Sequence, residues 1–348
     1  MPAKKNIKDL TLDELKVELQ TIAEPGFRAG QVFSWLYRKG KTTFGEFSDL
    51  SKRLREKLET DYFISRMDAV ERRRSPDGTE KFLFRLSDGN FIETVLIPSG
   101  RRRTVCLSTQ AGCKFACVFC ASGLNGFKRN LSPSEITGQV LFLRDTLGRE
   151  LTNLVFMGMG EPLDNLRNLE KAVRIMNSPE GMAIAARRMT ISTCGLVPGI
   201  QRLAKIDLQV NLSLSLHAAT DSVRDKLMPV NKKYPLEKVV EACEEYLKSG
   251  GRMLTIEYIL IKGVNDSLSD AEGLAGIARR LRAKVNVITC SPVAGLVYQG
   301  PREPETRMFI QWLEERKVQV TRRRSKGADI AAACGQLAGR AQSAGRHS

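Results

Sequence analysis

At 348 residues, with 42% hydrophobic and 27% charged side chains, the chain is long enough for one large or two ordinary globular cores. The 55 Lys and Arg against 39 Asp and Glu give a net charge of +16, which points to a polyanionic partner and makes nucleic acid the first candidate. No apolar run approaches the roughly 20 residues of a membrane helix. Met1-Pro2-Ala3-Lys4-Lys5 leads straight into polar helical sequence rather than a secretory leader, so no membrane partner and a cytoplasmic location are expected. In that reducing setting the 8 cysteines are read as ligands or reagents, not as disulfide staples.

Thr11-Leu-Asp-Glu14 is a capping box and predicts a helix from about Leu12. Pro25-Gly26 interrupts, and apolar residues at Val32, Phe33, Leu36 and Tyr37 predict a second helix over 27–38; a third is expected over 51–60. Together they make a small helical accessory domain, residues 1–62. Its plain reading is a packing module, and its basic character makes it an RNA clamp in the sharper one. From 63 to 98 the period changes to that of strands. Asp77-Gly78 and Asp88-Gly89-Asn90 are hairpin signals that predict a β-meander leading into the core. The runs Arg72 to Arg74 and Arg101 to Arg103 flank it and favour phosphate contacts over a merely solvated face.

After Arg103 strands and helices alternate. Strands are expected at 104–109, 153–157, 189–192, 210–216, 253–261, 284–288 and 318–321. Helices are expected from the Ser132-Pro133-Ser134-Glu135 cap and over 166–176, 236–248, 270–282 and 305–316. This predicts an α/β fold over 99–334, a partial (β/α)6 barrel with helices outside and the site at the C-terminal ends of its strands. Residues 335–348, rich in Gly, Ala, Ser and Arg, read as a fraying tail.

Cys113, Cys117 and Cys120 form C-x3-C-x2-C. Thiolates this close converge on one metal centre, and closely spaced cysteines are the usual carriers of iron–sulfur clusters. Three ligands would leave one iron of a [4Fe-4S] cubane open to a small molecule. A structural zinc site would want a second Cys pair or a His pair, and only His217 and His347 exist. Each remaining candidate follows a predicted strand: Gly158-Met159-Gly160-Glu161-Pro162, Ser192, and Ser215-Leu216-His217. Two glycines allow close backbone approach to a ligand, and Glu161 can accept from an amine or ribose, though G-x-G-E alone also suits a tight turn. His217 is read equally as ligand or as a satisfied packing histidine. An open iron beside such strand ends invites S-adenosylmethionine, whose amino and carboxylate groups chelate it.

The C-x3-C-x2-C loop followed by G-M-G-E-P resembles the radical S-adenosylmethionine superfamily. More specifically the chain is similar to the dual-specificity methyltransferases acting on carbon 2 of adenine in 23S ribosomal RNA and in transfer RNA. The stretches that carry this are Phe27 to Val32, Glu93-Thr-Val95, Cys106 to Cys113, Gly158 to Pro162, Ser215 to His217 and Asp329-Ile-Ala-Ala-Ala-Cys-Gly-Gln-Leu337, nearly the whole chain. The resemblance implies that Cys334 takes a methyl group from one S-adenosylmethionine, and that a radical from a second removes a hydrogen from it. The resulting carbon radical adds to the adenine. Cys106 then attacks the Cys334 sulfur, frees the product and leaves a disulfide, and Glu93 is the base that removes the proton from the substrate carbon. It further implies an external electron donor, and a monomer is expected. Gly160, Glu161, Ser192, Ser215, Leu216 and His217 are expected around S-adenosylmethionine. Ser291 stands where the family usually carries Asn, a shorter hydrogen-bonding substitute. Arg322 to Arg324 and Lys326, close before Cys334, would favour its thiolate. Cys194, Cys243 and Cys290 are expected to pack as small hydrophobes. Two other readings are methylation at carbon 8 by the same chemistry, and a non-catalytic iron–sulfur RNA-binding protein.

Overall fold

The structure, a computed structural model, describes residues 4–124, 126–148, 150–293 and 296–339. His347 and most of the expected tail, 340–348, lie outside the described residues. The chain divides into two compact units. The first runs to Asp68 and adds 131–152 and 167–186; the second holds 69–130, 153–166 and the described residues from Arg187 onward.

The first unit is helical. α1 (Leu12–Thr21) starts as its capping box dictates: Glu14 N–H donates to Thr11 Oγ1 at 3.3 Å and Thr11 N–H to Glu14 Oε2 at 2.9 Å. α2 (Phe27–Phe33) is shorter than the expected 27–38. Ser34–Arg38 widens into a π turn, closed by Lys39 N–H donating to the Ser34 carbonyl at 2.9 Å. The wider turn lets the consecutive Trp35, Leu36 and Tyr37 all be buried, which an α-helical turn would spread around its circumference. Trp35 stacks on Phe47 at 5.6 Å and Tyr37 OH donates to the Lys8 carbonyl at 3.1 Å. α3 (Lys52–Asp61) is capped by Ser51 and buries Leu54 and Leu58. α4 (Pro133–Leu147) carries a second capping box, Ser132 with Glu135, Pro at its first turn, and ends at Gly148 with φ +55°. α5 (Leu166–Asn177) completes the set, and Leu141 of α4 and Ile175 of α5 join the core of Leu15, Val32, Phe33 and Leu58.

The second unit is built on one sheet whose ten strands lie side by side in chain order. β1 (Ala69–Arg74), β2 (Glu80–Arg85), β3 (Phe91–Ser99) and β4 (Arg102–Cys106) are antiparallel neighbours, turned by Gly78 and Gly89, both at φ +83°. That conformation is easy for Gly and strained for other residues. β4, β5 (Asn153–Phe156), β6 (Met189–Thr193), β7 (Asn211–Ser215), β8 (Leu254–Leu260), β9 (Lys284–Thr289) and β10 (Val320–Arg323) run parallel. The six crossovers between them make the expected partial barrel, and it stays open because, among the described residues, β10 pairs only with β9 and β1 only with β2. The meander strands are continuous with that sheet.

The expected strand 104–109 stops at Cys106. Beyond it Leu107 N–H donates to the Val155 carbonyl and Thr109 N–H to the Met159 carbonyl, both at 2.9 Å, so this segment turns across the end of β5. α8 (Leu236–Lys248), α9 (Leu268–Arg280) and α10 (Glu303–Glu315) match expectation within a few residues. Two seven-residue helices were not expected: α6 (Val197–Leu203) and α7 (Asp221–Leu227). Each is too short to show a helical period. Among the described residues no helix is long and apolar enough to cross a membrane.

Ser132→Ala removes the acceptor at the start of α4 and should lower stability by about 1 kcal/mol. Urea unfolding checks this, with Ser132→Asp expected to recover most of the loss.

Candidate active site

One cavity in the second unit lies at the C-terminal ends of the parallel strands. It brings together Cys113, Cys117, Cys120, Gly160, Glu161, Ser192, Ser215, His217 and Cys334, which are spread over 222 positions of sequence. Glu93, Cys106, Leu216 and Ser291 do not line it.

The cysteine loop is shaped by its backbone. Cys120 N–H donates to the Cys117 carbonyl at 3.0 Å, Val118 N–H to the Leu227 carbonyl at 3.1 Å, and Ala116 sits at φ +49°. Burial pushes the Cys113 thiol up to about 12, and burial followed by the neighbouring Cys120 and Cys113 raises Cys117 well above the usual thiol range. Such thiols stay protonated until a cation displaces the protons. Among the described residues no three Cys, His, Asp or Glu side chains are grouped to hold a single metal ion. A cubane asks for something else, since each thiolate takes a different iron corner. The donor set, all thiols in a closely spaced loop on a shared cavity, fits the cluster.

The Gly158–Glu161 turn is packed to its limit. A Cβ on Gly158 would lie 2.7 Å from the Leu107 carbonyl, and one on Gly160, at φ +95°, 2.4 Å from Gln110 Cβ. Gln110 Oε1 in turn accepts the Glu161 N–H at 2.9 Å. The Glu161 carboxylate is buried; it accepts N–H groups from Leu163 at 3.1 Å and Cys194 at 2.8 Å. Burial outweighs these bonds and raises its pKa. The Ser192 and Ser215 hydroxyls lie 3.3 Å apart.

His217 has φ +59°, and its Nδ1 accepts the Ile259 N–H at 3.0 Å. That bond puts the ring proton on Nε2. Phe119 meets the ring edge-on at 4.9 Å. Burial, and then the Arg224 charge, lower its pKa to about 3.

Three charged residues of the cavity region were not singled out individually by sequence. Arg224 is fully buried on α7, donating to the carbonyls of Leu216 at 3.1 Å and Cys194 at 2.6 Å and to Asn231 Oδ1 at 2.8 Å. It is also the cation that favours the Cys117 thiolate. Glu257 is buried in apolar β8 and accepts from Ser213 Oγ and Asn286 Nδ2, both at 2.9 Å. An acid inside such a strand was the available signal; for Arg224 there was none. Arg323, one member of the expected Arg run, donates to Glu257 Oε2 at 3.4 Å. It is held above its usual range first by its nearness to Cys334, then by Glu257 and Cys106. Arg322 instead pairs with Glu303 at 2.5 Å.

Cys106, at the end of β4, is buried, and burial followed by Cys334 pushes its thiol up to about 12 against the pull of Arg323. Cys106, Cys334 and Arg323 are therefore within electrostatic reach of one another. The segment bearing Cys334 is fixed by Lys81 Nζ donating to the Ala331 carbonyl at 3.0 Å, Ala121 N–H to the Gly335 carbonyl at 2.7 Å and Ser122 Oγ to the Leu337 carbonyl at 2.7 Å. Glu93 is enclosed. Lys81 Nζ lies 2.8 Å from Oε1, and the N–H groups of Ala338 and Gly339 donate to Oε2 at 2.7 and 3.0 Å. Ser291 Oγ donates to Ser325 Oγ at 3.0 Å. Cys194 lines the cavity, while Cys243 and Cys290 are buried in the core.

Residues 107–272 match the Radical SAM superfamily, and residues 5–64 match the ribosomal RNA large subunit methyltransferase N-terminal domain. The dual-specificity RNA methyltransferase RlmN of Syntrophus aciditrophicus is 44% identical over 338 residues, 97% of each chain. The chain belongs to the RlmN family. The probable dual-specificity RNA methyltransferase RlmN of Clostridioides difficile is 43% identical over 95% of this chain and 96% of its own. The crystal structure of a radical SAM methyltransferase from Sphaerobacter thermophilus is similar with a TM-score of 0.90 at 43% identity, covering 97% of this chain and 100% of that one. As an RlmN family member, this radical SAM enzyme uses a [4Fe-4S] cluster and S-adenosylmethionine.

Gly160→Ala should weaken S-adenosylmethionine binding to the cluster-loaded enzyme by at least about 10-fold, because a strained, clashing Cβ displaces Gln110 and the Glu161 amide. Equilibrium dialysis measures it. His217 gives a pH signature. The fold holds it neutral, whereas the unfolded chain protonates near pH 6.5. Its stabilising effect is complete above that pH and is lost as pH falls toward 3. In His217→Asn, which tolerates positive φ, urea unfolding should show a loss from pH 7.5 to 5.5 smaller than wild type by roughly 1 kcal/mol.

Proposed function

We propose that this chain makes 2-methyladenosine in 23S ribosomal RNA and in transfer RNA, through a methylated Cys334. The observation that carries the reading is Cys334 lying in the cavity of the three cluster cysteines, with Arg323 beside it and Cys106 in reach. Cys113, Cys117 and Cys120 hold the cluster; Gly160, Glu161, Ser192, Ser215 and His217 surround S-adenosylmethionine, with Leu216 and Ser291 as further cofactor contacts. When bound, these groups supply the methyl group and the hydrogen-abstracting radical.

The chain's own residues do the rest. Arg323 places positive charge beside the Cys334 sulfur that accepts the methyl group. The methyl carbon becomes bonded to adenine carbon 2 while still on the Cys334 sulfur. Glu93 takes the proton from adenine carbon 2, after Ala338 and Gly339 release its carboxylate, as the adduct returns one electron to the redox partner. The Cys106 thiolate attacks the Cys334 sulfur, the electron pair of the sulfur–carbon bond leaves with the product carbon, which takes up a proton to become the methyl group, and a Cys106–Cys334 disulfide remains for external reduction. Residues 1–62 act as an RNA-holding domain and 63–98 lead into the 99–334 catalytic barrel. An external donor supplies electrons, and the protein works as a cytoplasmic monomer.

Mass spectrometry of enzyme purified from cells should find a methyl group on Cys334, and Cys334→Ala should abolish transfer to RNA. Cys106→Ala should instead accumulate an RNA–protein crosslink, seen as a slow band on denaturing gels. Normal turnover in Cys106→Ala is incompatible with its assigned role.

A further inference from the structure

At the opposite ends of the parallel strands from the active site lies a second cavity, of about 560 Å³. Arg252, Arg279, Arg282, Lys284 and Lys317 line it, and no carboxylate does. All five are exposed, and none has an ion pair or side-chain hydrogen bond among the described residues. Their neighbours differ. Arg280 reaches Glu237 at 2.7 Å and Glu244 at 2.8 Å, and Arg316 reaches Glu272 at 2.6 Å. The cations turned into this groove are the ones left without anions.

Two of them occupy costly positions. Arg282 follows the end of α9 at φ +48°, with Ala283 N–H closing on the Ala278 carbonyl at 2.9 Å. Lys317 follows α10 at φ +60°, with Val318 N–H closing on the Leu313 carbonyl at 3.1 Å. Glycine is the usual residue at this left-handed step past a helix, and the same chain uses it at Gly148 after α4. Attraction to a helix C-terminus explains a cation anywhere in the last turn. It does not explain a cation in place of glycine, nor Arg252 and Lys284, which precede β8 and begin β9.

We propose that this groove binds the phosphodiester backbone of a part of the RNA substrate remote from the target nucleotide. This rests on the RNA methyltransferase reading and deepens it. β8 spans seven residues at about 3.3 Å each, so the groove is roughly 20 Å or more from the strand ends that bear the active site. The phosphates it holds belong to another segment of a folded RNA, which makes substrate size a determinant of affinity.

The test is the Arg282→Gly/Lys317→Gly double variant of the cluster-loaded enzyme, assayed anaerobically with S-adenosylmethionine and reductant. Two substrates are compared: a short hairpin carrying the target loop, and a large ribosomal RNA fragment containing it. Because glycine relaxes both turns, Tm should not fall. For the large fragment KM should rise on the order of 10-fold with kcat unchanged, and the slope of log KM against log salt should drop by about 2, near 0.9 per lost contact. Hairpin kinetics should stay as in wild type. An unchanged KM for the large fragment, or an equal loss on the hairpin, overturns the proposal. So does a variant that keeps wild-type RNA kinetics but loses co-sedimentation with phosphatidylglycerol vesicles. Wild-type enzyme that methylates neither RNA overturns the functional reading together with this one, whereas methylation with unaltered variant kinetics overturns the groove alone.

Discussion

Sulfur removed from water organises the catalytic end of this protein. Burial holds Cys106, Cys113, Cys117 and Cys194 protonated. A buried anion exists only beside positive charge, and two cations stand among these sulfurs. Arg224 lies near Cys117. Arg323, anchored by Glu257, lies near Cys106 and Cys334. Arg224 is itself held in place by two carbonyls and Asn231, and Asn231 by Asp221 and Asp225 at 2.9 and 2.8 Å. A buried guanidinium with only part of that network would be strongly destabilising.

The fold meets this demand with the geometry of parallel strands. Strand interiors are nearly all apolar and buried, so polar groups concentrate where the strands end. Ser192 and Ser215 end or nearly end their strands, His217 follows shortly after, and Cys106 ends β4. Glu257 is a charged exception in mid-strand, and it is satisfied sideways by the mid-strand polar groups of Ser213 and Asn286 and by Arg323, on three other strands. The C-terminal segment then carries Cys334 back across the meander, held by Ser75 to Asp329, Lys81 to Ala331 and Gln336 to Pro292. The same segment supplies the amides that enclose Glu93.

The large positive charge is distributed in two ways. Many surface arginines are spent in local pairs such as Arg72 with Glu80 or Arg322 with Glu303, which contribute little individually to stability. Others have no anion beside them among the described residues. Net charge alone does not distinguish the two kinds; only the pairing pattern does.

Much of the architecture was legible in the residues. Capping boxes marked the starts of α1 and α4, Asp-Gly turns marked the meander, and apolar runs marked the parallel strands, because those signals act over a few neighbouring residues. The π turn at Ser34–Arg38 was not legible, since it answers to Phe47 and to Lys8, which only the packed unit brings together. The seven-residue helices were missed because their burial, not their period, makes them helices. At the site, the three cysteines and the G-x-G-E turn were legible from local spacing. By itself the sequence determined the strand–helix order, the cysteine loop and the excess of positive charge. Tertiary structure decided which cation serves which sulfur, that Arg224 and Glu257 belong to the site at all, and that Glu93 is enclosed, because electrostatic partnership depends on distance through space and that is settled only when strands far apart in the chain are laid side by side.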